Sequence, residues 1–395
     1  MAALTGVKVI CVGQFYFAPY CSMLLARLGA EVLKIEAPQG DPYRRLSTAT
    51  EDGTSVQFSM LNSGKRAMRL DLKSEEGRDV LRGLAEHSDV LVQNLSPGAM
   101  DRFGLGYDAL SAINPRLVMA SGTGFGSFGP YAGQPAMDLT VQARTAVMST
   151  TGFPDGPPVR TGPSIVDFMA GVHLFSGILA ALYQREHTGR GQHVEVSLQD
   201  AILPSLSSNI AGMINSGGTM PERTGNAHGG LAVVPYNAYP TTDGWVTVLC
   251  PTQAHWERLV AVMDDPEAQS DKFATMGDRC ENADEVDVIV GRWTSRLTKA
   301  QVGEKLAGTA IPTAPVVGLA ELMEDEHVAA RGVLRWMQDD AGQWLTLGSP
   351  LFLSDSPIVE PTRAPRLGED TDAVLRDTLG MSDEKIAELH RTGVV

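Results

Sequence analysis

One aspartate, Asp167, is well placed in this sequence to act as a nucleophile. It follows the turn-rich segment TTGFPDGPPVRTGP (residues 150–163) and begins an apolar stretch that predicts a long helix to about His187, ended by Gly189. A carboxylate held at a fixed point can form a covalent acyl intermediate. Aspartate is also a favoured N-cap of helices. The local pattern therefore leaves two interpretations open, a nucleophile or a helix cap.

A run of basic residues lies in a strongly acidic chain. The chain carries a formal net charge of −15, yet the segment NSGKRAMRLDLK (residues 62–73) contains one acid, Asp71, and four cations: Lys65, Arg66, Arg69 and Lys73. The overall charge argues against nucleic acid as a partner, because a polyphosphate requires a concentrated positive surface. The run could form a local site for an anionic ligand, and the alternative is a solvated surface with scattered charges.

The glycine and cysteine patterns count against common cofactors. The turn after the first predicted strand reads GQFYFAP and lacks the G-x-G-x-x-G spacing of dinucleotide sites, so no nicotinamide or flavin is expected. The loop SGTGFGSFGP is not followed by Gly-Lys-Ser/Thr, and we interpret it as a flexible loop at the end of a strand. The four cysteines form no C-x-x-C pair, which predicts neither a metal site nor a disulfide; they are Cys11, Cys21, Cys250 and Cys280.

The elements that must position these residues alternate between strand and helix, which predicts an α/β domain with a mainly parallel sheet. Strands are predicted at residues 7–12, 30–35, 89–92, 116–120 and 193–197, and helices at 19–28, 74–86, 108–113 and 167–187. A chain of 395 residues favours two domains. Beyond residue 216 the pattern changes to a strand pair around DGWVTVL with several helices, which predicts a smaller domain, and two further helices are predicted at 371–378 and 382–391.

Neither a membrane span nor a secretory leader is predicted. The apolar stretch of residues 168–183 is interrupted by Gly171 and His173 and is shorter than the roughly 20 residues that cross a bilayer. The first residues contain no basic region before an apolar run. These features predict a cytoplasmic protein.

Five segments resemble, in chain order, the family III CoA-transferases (the CaiB/BaiF family), which include formyl-CoA:oxalate and carnitine CoA-transferases and the α-methylacyl-CoA racemases. They are LLARLGAEVLKIE (24–36), NSGKRAMRLDLKSEEGR (62–78), DVLVQNLSPGAMDRFGLGYDAL (89–110), NPRLVMASGTGFGSFGPY (114–131) and LAALYQREHTGRGQHVEVSLQDA (179–201). The resemblance covers nearly the whole chain. It implies a Rossmann-like large CoA-binding domain (1–215), a linker and smaller α+β domain (216–330), and a C-terminal segment (331–395) that returns to the large domain in an interlocked homodimer.

The resemblance also implies a role for Asp167, which occupies the place of the family's catalytic aspartate in PSIVDFMAG. This carboxylate would take the acyl group from an acyl-CoA donor as a mixed anhydride, pass through an enzyme-CoA thioester, and deliver CoA to a carboxylic acid. No cofactor is implied beyond the CoA thioester, which is a substrate. The CoA contacts carried over by position are Leu70, Lys73, Asn94, Leu95, Arg102 and Phe103. The loop GNAHGG (225–230) matches the family's glycine-rich flap and supplies His228, Gly229 and Gly230.

Departures from the family pattern bear on which reaction is run. Met137 and Asp138 stand where the racemases have His-Asp, and a thioether cannot act as a base, so racemisation is not expected. The formyl-CoA enzyme has Gln after its first strand, where this chain has Tyr16 or, with a shifted gap, Gln14, and it has Glu in place of Asp138. An arginine that follows KIE in some members is Ala37 here. Oxalate is therefore not assumed as the acceptor.

Three functions remain from these observations. The first is CoA transfer from an acyl-CoA to a carboxylic acid, with small dicarboxylates as the first acids to test. The second is a racemase or lyase-type relative of the same fold. The third is a CoA-binding subunit without chemistry, against which the intact Asp167 counts.

Overall fold

The computed structural model describes residues 1–46, 54–340 and 342–395. Its strands are β1 (Lys8–Cys11), β2 (Glu31–Glu36), β3 (Arg66–Arg69), β4 (Val90–Gln93), β5 (Val118–Thr123), β6 (His193–Ser197), β7 (Tyr236–Thr241), β8 (Gly244–Leu249), β9 (Thr313–Pro315), β10 (Leu334–Asp339) and β11 (Gly342–Leu347). Its α-helices are α1 (Phe17–Arg27), α2 (Val56–Asn62), α3 (Glu75–Glu86), α4 (Ala99–Arg102), α5 (Tyr107–Ile113), α6 (Asp138–Arg144), α7 (Val147–Thr150), α8 (Ile165–Thr188), α9 (Leu198–Ile202), α10 (Ser207–Asn215), α11 (Gln253–Met263), α12 (Met276–Glu281), α13 (Ala283–Thr294), α14 (Lys299–Leu306), α15 (Leu319–Met323), α16 (Glu326–Arg331), α17 (Thr371–Asp377) and α18 (Asp383–Thr392).

The main sheet is parallel and has the strand order β3-β2-β1-β4-β5-β6. In the central strand, Val9 pairs with Val32 on one side and with Val90 on the other. Both faces are covered, and Val90, Leu91 and Val92 are fully buried, as the apolar runs of parallel strands require. The chain first adds strands on one side of β1 and then continues with β4 on the other. In open α/β sheets, ligands bind at this switch point, outside the carboxyl ends of the strands.

The predicted helices and strands of this sheet domain are all present. In α3, for example, the Ser74 hydroxyl accepts a hydrogen bond from the Gly77 amide, and Glu75 and Glu76 lie in the first turn, where negative charge is favoured. Its apolar residues, among them Leu81 and Leu84, are buried in the core of the sheet. Capping and amphipathic spacing are local signals, which is why the sequence predicts this helix correctly.

The edge strand β3 is an element that the sequence prediction lacked. In its sequence RAMR an exposed and a half-buried arginine flank the buried Ala67 and Met68, so the segment shows neither the alternation nor the apolar run that predicts a strand. The C-terminal segment covers this edge, because Asp370 accepts a hydrogen bond from the Ala67 amide and the Asp71 amide donates to the Val394 carbonyl. The strand therefore depends on contacts with residues about 300 positions away in the sequence.

The described chain forms two compact units. The first contains residues 1–141, 164–202 and 323–395, and the second contains residues 142–163 and 203–322. In the second unit β7, β8 and β9 form an antiparallel sheet, with Tyr239 paired to Val246 and a core that includes Trp256 and Ile289. The predicted fold class, an α/β domain with a parallel sheet plus a smaller domain, is confirmed. The domain limits 1–215, 216–330 and 331–395 stay predictions.

Helix α8 is longer than the apolar stretch suggested. It has 24 residues, and a window of 18 residues has a mean hydropathy of 1.9, which is enough by length and composition to cross a membrane. Gly171 and Gly177 lie inside the helix, at positions where a Cβ would approach Tyr20 to 3.0 Å and Val194 to 2.7 Å. The helix packs on α1, β5 and β6 with Leu174 and Ile178 fully buried, and core helices of globular proteins pass the same test. The cytoplasmic location stays a prediction.

Candidate active site

A cavity of about 470 Å³ lies in the first unit at the carboxyl ends of β1, β4 and β5. It brings together five of the predicted site residues, Gln14, Asn94, Leu95, Phe103 and Asp167, and also Met137, which stands at the racemase histidine position. Its other lining residues are Phe15, Phe17, Ser96, Pro97, Ala99, Gly122, Thr123, Gly124, Gln134, Pro135, Ala136 and Leu198. The volume and the concave, largely apolar lining with a few polar groups suit a small-molecule site.

Asp167 is held at this cavity by the first turn of α8, but it does not cap the helix. The N-cap residue, Ser164, makes no side-chain hydrogen bond to the helix. Instead, the carboxylate of Asp138 accepts hydrogen bonds from the Val166 amide (2.9 Å) and the Asp167 amide (3.1 Å). The capping interpretation of Asp167 is therefore wrong, since Asp138, at the start of α6, satisfies these amide groups.

The electrostatic environment of Asp167 is unfavourable to its negative charge. Burial, and after it the charge of Asp138, raise the pKa of Asp167 from its ordinary value to about 7. At neutral pH a substantial fraction is then ionised, and the anion is poorly solvated. A carboxylate in a cleft with a pKa raised in this way is a candidate reactive group.

The loop after β1 places Gln14 in the cavity, and Asn94 holds it there. The main-chain amide of Gln14 donates to Asn94 Oδ1 (2.8 Å), and Asn94 Nδ2 donates to the main-chain carbonyl of Gln14 (2.9 Å). Tyr16 does not line the cavity. Its ring packs edge-on against Tyr43, at 4.7 Å between ring centroids, and lies 5.3 Å from Phe168. Of the two residues left open by the sequence, Gln14 is the one that lines this cavity together with Asp167.

The remaining candidate CoA contacts lie outside the cavity lining. Leu70 is 1% exposed and packs in the core of the sheet, so a contact with CoA would fall to its main chain. Lys73 is exposed a few residues after β3, and its amide donates to Asp71. Arg102 is exposed at the end of α4 and donates to the Pro97 carbonyl (2.9 Å). Both cations follow strands of the parallel sheet.

The basic run does not form one phosphate-binding surface. Lys65 is 4% exposed, and its ammonium donates to the Pro19 carbonyl, the Ser22 hydroxyl and the Asn62 side chain, each at 2.9 Å. Burial lowers the pKa of Lys65 to about 7.

The arginines of the run are also bound by the protein, since Arg66 pairs with Asp370 (3.2 Å) and Arg69 donates to the carbonyl oxygen of Val395. The interpretation of all four cations as a ligand site is therefore wrong. Side chains of a strand and its flanks point in different directions, and sequence spacing did not show which of them face solvent.

The flap residues belong to the second unit. His228 Nδ1 accepts hydrogen bonds from the amides of Gly230 (3.2 Å) and Ala232 (3.3 Å), and its ring packs edge-on against Tyr236 at 5.4 Å. A Cβ on Gly229 would approach the Asn209 side chain to 2.9 Å. The imidazole thus organises its own loop, and the glycine is needed for close packing.

The sequence analysis missed the contribution of the glycine-rich loop after β5. Gly122 and Gly124 line the cavity, and a Cβ at these positions would collide with Phe17 and Ala136. These glycines serve close packing, and the interpretation of a merely flexible loop is wrong for them. Their position directly at the end of a predicted strand was the available signal.

Comparisons with known proteins agree with this architecture. The family model "CoA-transferase family III" matches residues 4–371. A formyl-CoA:oxalate CoA-transferase of Streptomyces coelicolor is 39% identical over 100% of this chain and 99% of its own length. The succinyl-CoA–L-malate CoA-transferase beta subunit of Chloroflexus aurantiacus is 36% identical over 99% of this chain and 98% of its own. The crystal structure of a CaiB/BaiF family protein from Brucella suis superposes with a TM-score of 0.83 at 31% identity, covering 95% of this chain and 99% of that one.

The parallel sheet and the buried carboxylate at its switch point define an α/β protein with a candidate covalent active site. The chain belongs to CoA-transferase family III and is a CoA-transferase. The resemblance stated from the five sequence segments is confirmed.

Proposed function

We propose that this enzyme moves CoA from an acyl-CoA donor to a carboxylic acid acceptor, with Asp167 as the group that carries the acyl chain. The observation that carries the proposal is the position of Asp167 in the cavity, with a pKa raised to about 7 by burial and by Asp138. Water solvates this anion poorly, which favours its attack on a carbonyl carbon.

Four steps complete the transfer. A carboxylate oxygen of Asp167 attacks the thioester carbonyl, the C–S bond breaks, and CoA thiolate leaves a mixed anhydride. The thiolate attacks the aspartyl carbonyl of this anhydride and releases the donor acid, which gives an aspartyl-CoA thioester. The acceptor carboxylate attacks that thioester and expels CoA thiolate, which then attacks the acceptor carbonyl of the new anhydride. Product acyl-CoA leaves, and the Asp167 carboxylate is restored without any cofactor besides the CoA thioester.

The other candidate residues divide into two groups in this proposal. CoA is held by Lys73 and Arg102, whose cations suit its phosphates, together with Asn94, Leu95, Phe103 and the main chain of Leu70. Asp138 adjoins Asp167, Gln14 lines the same cavity, and Tyr16 packs on Phe168, the residue after Asp167. His228, Gly229 and Gly230 belong to a loop of the second unit, and we assign them no step of the transfer.

The names of the relatives support the substrate class. They describe transfer of CoA between formyl-CoA and oxalate, and between succinyl-CoA and L-malate. We therefore propose an acyl-CoA donor and a small organic acid acceptor, with dicarboxylates as the first acids to test. Met137 lines the cavity at the position of the racemase histidine and offers no base, which counts against racemisation.

A trapping experiment tests the proposal. The protein is incubated with succinyl-CoA or acetyl-CoA and quenched with hydroxylamine or borohydride, and the modified residue is located by mass spectrometry. The expected result is a modification of Asp167 that requires the thioester and is absent from Asp167→Ala. Full CoA exchange by Asp167→Ala would rule out the proposed nucleophile.

One relative favours a second candidate, a subunit of a two-chain enzyme. The Chloroflexus protein is named as a beta subunit. Under that alternative the purified chain would transfer no CoA alone and would gain activity on addition of a homologous partner. Transfer by the purified chain would exclude it.

We also propose that two copies form an interlocked homodimer. Helix α8 supports this proposal, since Val172 is 41% and Tyr183 71% exposed on a helix of high hydropathy. Sedimentation equilibrium is expected to give twice the chain mass of 42.2 kDa. A stable monomer at micromolar concentration would contradict the dimer.

A further inference from the structure

We propose that Lys34 is a positioning residue of the active site, which fixes the loop that carries Gln14 into the cavity lined by Asp167. Lys34 lies in β2, outside the cavity lining, and no role was predicted for it from the sequence. The inference deepens the CoA transfer proposed above and rests on it for the kinetic part of its test.

The contacts of Lys34 lead directly to this loop. The residue is fully buried, and its ammonium donates to the Gly13 carbonyl (2.8 Å) and to the carboxylate of Asp41 (2.8 Å). Gly13 immediately precedes Gln14. The ammonium thus holds one end of the peptide segment whose other groups are bound by Asn94.

The loop is closely packed where Lys34 holds it. A Cβ on Gly13 would collide with Ala18 and would approach Asn94 Oδ1 to 2.9 Å. The carbonyl of Gly13 consequently has little room to move while Lys34 and Asn94 keep their hydrogen bonds. A shift of about 1 Å in such a support can lower a reaction rate by roughly a hundredfold.

The second partner of Lys34 supports the opposite side of the same loop. Asp41 Oδ1 accepts a hydrogen bond from the Tyr43 amide (3.0 Å). The ring of Tyr43 packs edge-on against Phe15 and Tyr16, at centroid distances of 5.1 and 4.7 Å. Lys34 therefore joins the main chain of the loop to the turn whose aromatic ring packs on its side chains.

Lys34 keeps its positive charge in the folded protein. Burial opposes the charge of Lys34, but the attraction of Asp41, followed by Cys11 and Glu36, outweighs it, and the pKa of Lys34 lies above its ordinary value. Removing one partner alone would leave an uncompensated buried charge and destabilise the whole unit. The test therefore replaces both partners.

The test variant is Lys34→Met with Asp41→Asn. Asparagine keeps an oxygen that can accept from the Tyr43 amide, and methionine fills the space without a donor for Gly13. The matched control is Lys65→Met, which replaces another buried lysine of the same unit whose three partners lie outside the loop of residues 13–16. Initial rates of CoA transfer, melting temperature and hydrogen exchange of a peptide that covers residues 12–17 are measured for both.

We expect the double variant to lose about tenfold or more in kcat while KM for the thioester changes by less than about threefold, because the CoA contacts are untouched. The rate of hydrogen exchange at residues 12–17 should rise in the double variant and stay at the wild-type rate in Lys65→Met. The control Lys65→Met should also retain the wild-type kcat. Wild-type kcat in a folded double variant, or an equal loss of kcat in both variants, would overturn the proposal.

Two further outcomes keep the test decisive. If the double variant does not fold, Lys34→Arg is measured in its place. Arginine retains the charge beside Asp41 but displaces the Gly13 carbonyl, and we expect the same loss in kcat without a change in KM. Wild-type kcat in Lys34→Arg with unchanged exchange would overturn the inference. If wild-type protein transfers no CoA, the proposed function fails, and the exchange measurement alone decides whether Lys34 fixes the loop.

Discussion

The cavity at the switch point and the basic segment of residues 65–73 hold their charges in opposite ways. In the cavity, Asp167 lies near a like charge, Asp138, in a poorly solvated place that raises its pKa to about 7. In the basic segment, Arg66 is paired with Asp370 and Arg69 donates to the carbonyl oxygen of Val395. A charge with hydrogen-bonding or ionic partners stabilises the fold. A poorly solvated carboxylate such as Asp167 is destabilised in its ionised form, and this free energy is available to a reaction that consumes the charge.

The largest expected effect in this comparison is the loss of Asp167. Asp167→Ala should reduce CoA transfer by about a thousandfold or more, since covalent capture of the acyl group is removed. Rates with succinyl-CoA and a panel of acids measure this. Arg66→Ala, in the contrasting segment, should keep wild-type rates. Similar losses in the two variants would mean that the contrast between the regions is not functional.

The exposed cations at the periphery should affect binding and leave the chemical step intact. We expect Lys73→Ala with Arg102→Ala to raise KM for acyl-CoA by about 10- to 50-fold with kcat within about threefold, because phosphate contacts are made equally in the ground and transition states. Steady-state kinetics at two salt concentrations provide the measurement. An effect on kcat alone would place these residues at the reacting atoms.

The raised pKa of Asp167 should make the free energy of unfolding depend on pH. Its pKa is about 7 in the folded protein and about 3.9 when unfolded, so the folded state binds more protons between these values and stability falls as pH rises from about 4 to 7. Asp167→Asn removes this dependence and should be more stable than wild type at pH 8 by about 1–3 kcal/mol, with no gain near pH 4. Denaturant melts at both pH values test the sign. A variant less stable than wild type at pH 8 would contradict the raised pKa.

The smallest expected effect is a shift in the pH profile. Transfer requires ionised Asp167, so kcat/KM should rise with pH through a limb near 7. Asp138→Asn keeps an oxygen for the Val166 and Asp167 amides but removes the like charge, and should move this limb to lower pH by less than about one unit, because burial is the larger cause. If the limb of the pH profile does not move in Asp138→Asn, burial alone raises the pKa of Asp167.

The sheet and its helices could be predicted from the sequence because their signals are local. The cap at Ser74, the glycine that ends α8 and the apolar runs of β1 and β4 each fix an element from a few neighbouring residues. Strand β3 could not be found in the same way. Its arginines resemble a surface patch until Asp370 and the C-terminal residues are seen to cover them.

The candidate site was predicted in part for the same reason. The position of Asp167 in the chain order of a known family was sufficient to select it, and Asn94, Leu95 and Phe103 lie with it in the cavity. The partners of these residues were not predictable, because Asp138 caps a helix from 28 positions away and Lys34 in β2 reaches Gly13, just beyond the neighbouring strand β1. Such contacts depend on which side of a strand or loop a side chain points to, and residue spacing alone does not fix this direction.

The two hydrogen bonds between Asn94 and Gln14 have a consequence for evolution. An asparagine side chain presents a donor and an acceptor in one plane, like a peptide group, so it continues the pairing of β1 and β4 beyond the last residue of the sheet. Aspartate lacks the donor, leucine lacks both groups, and glutamine is one carbon too long. Natural variation at this position should accordingly be narrow, even among homologues that differ in the acids they use.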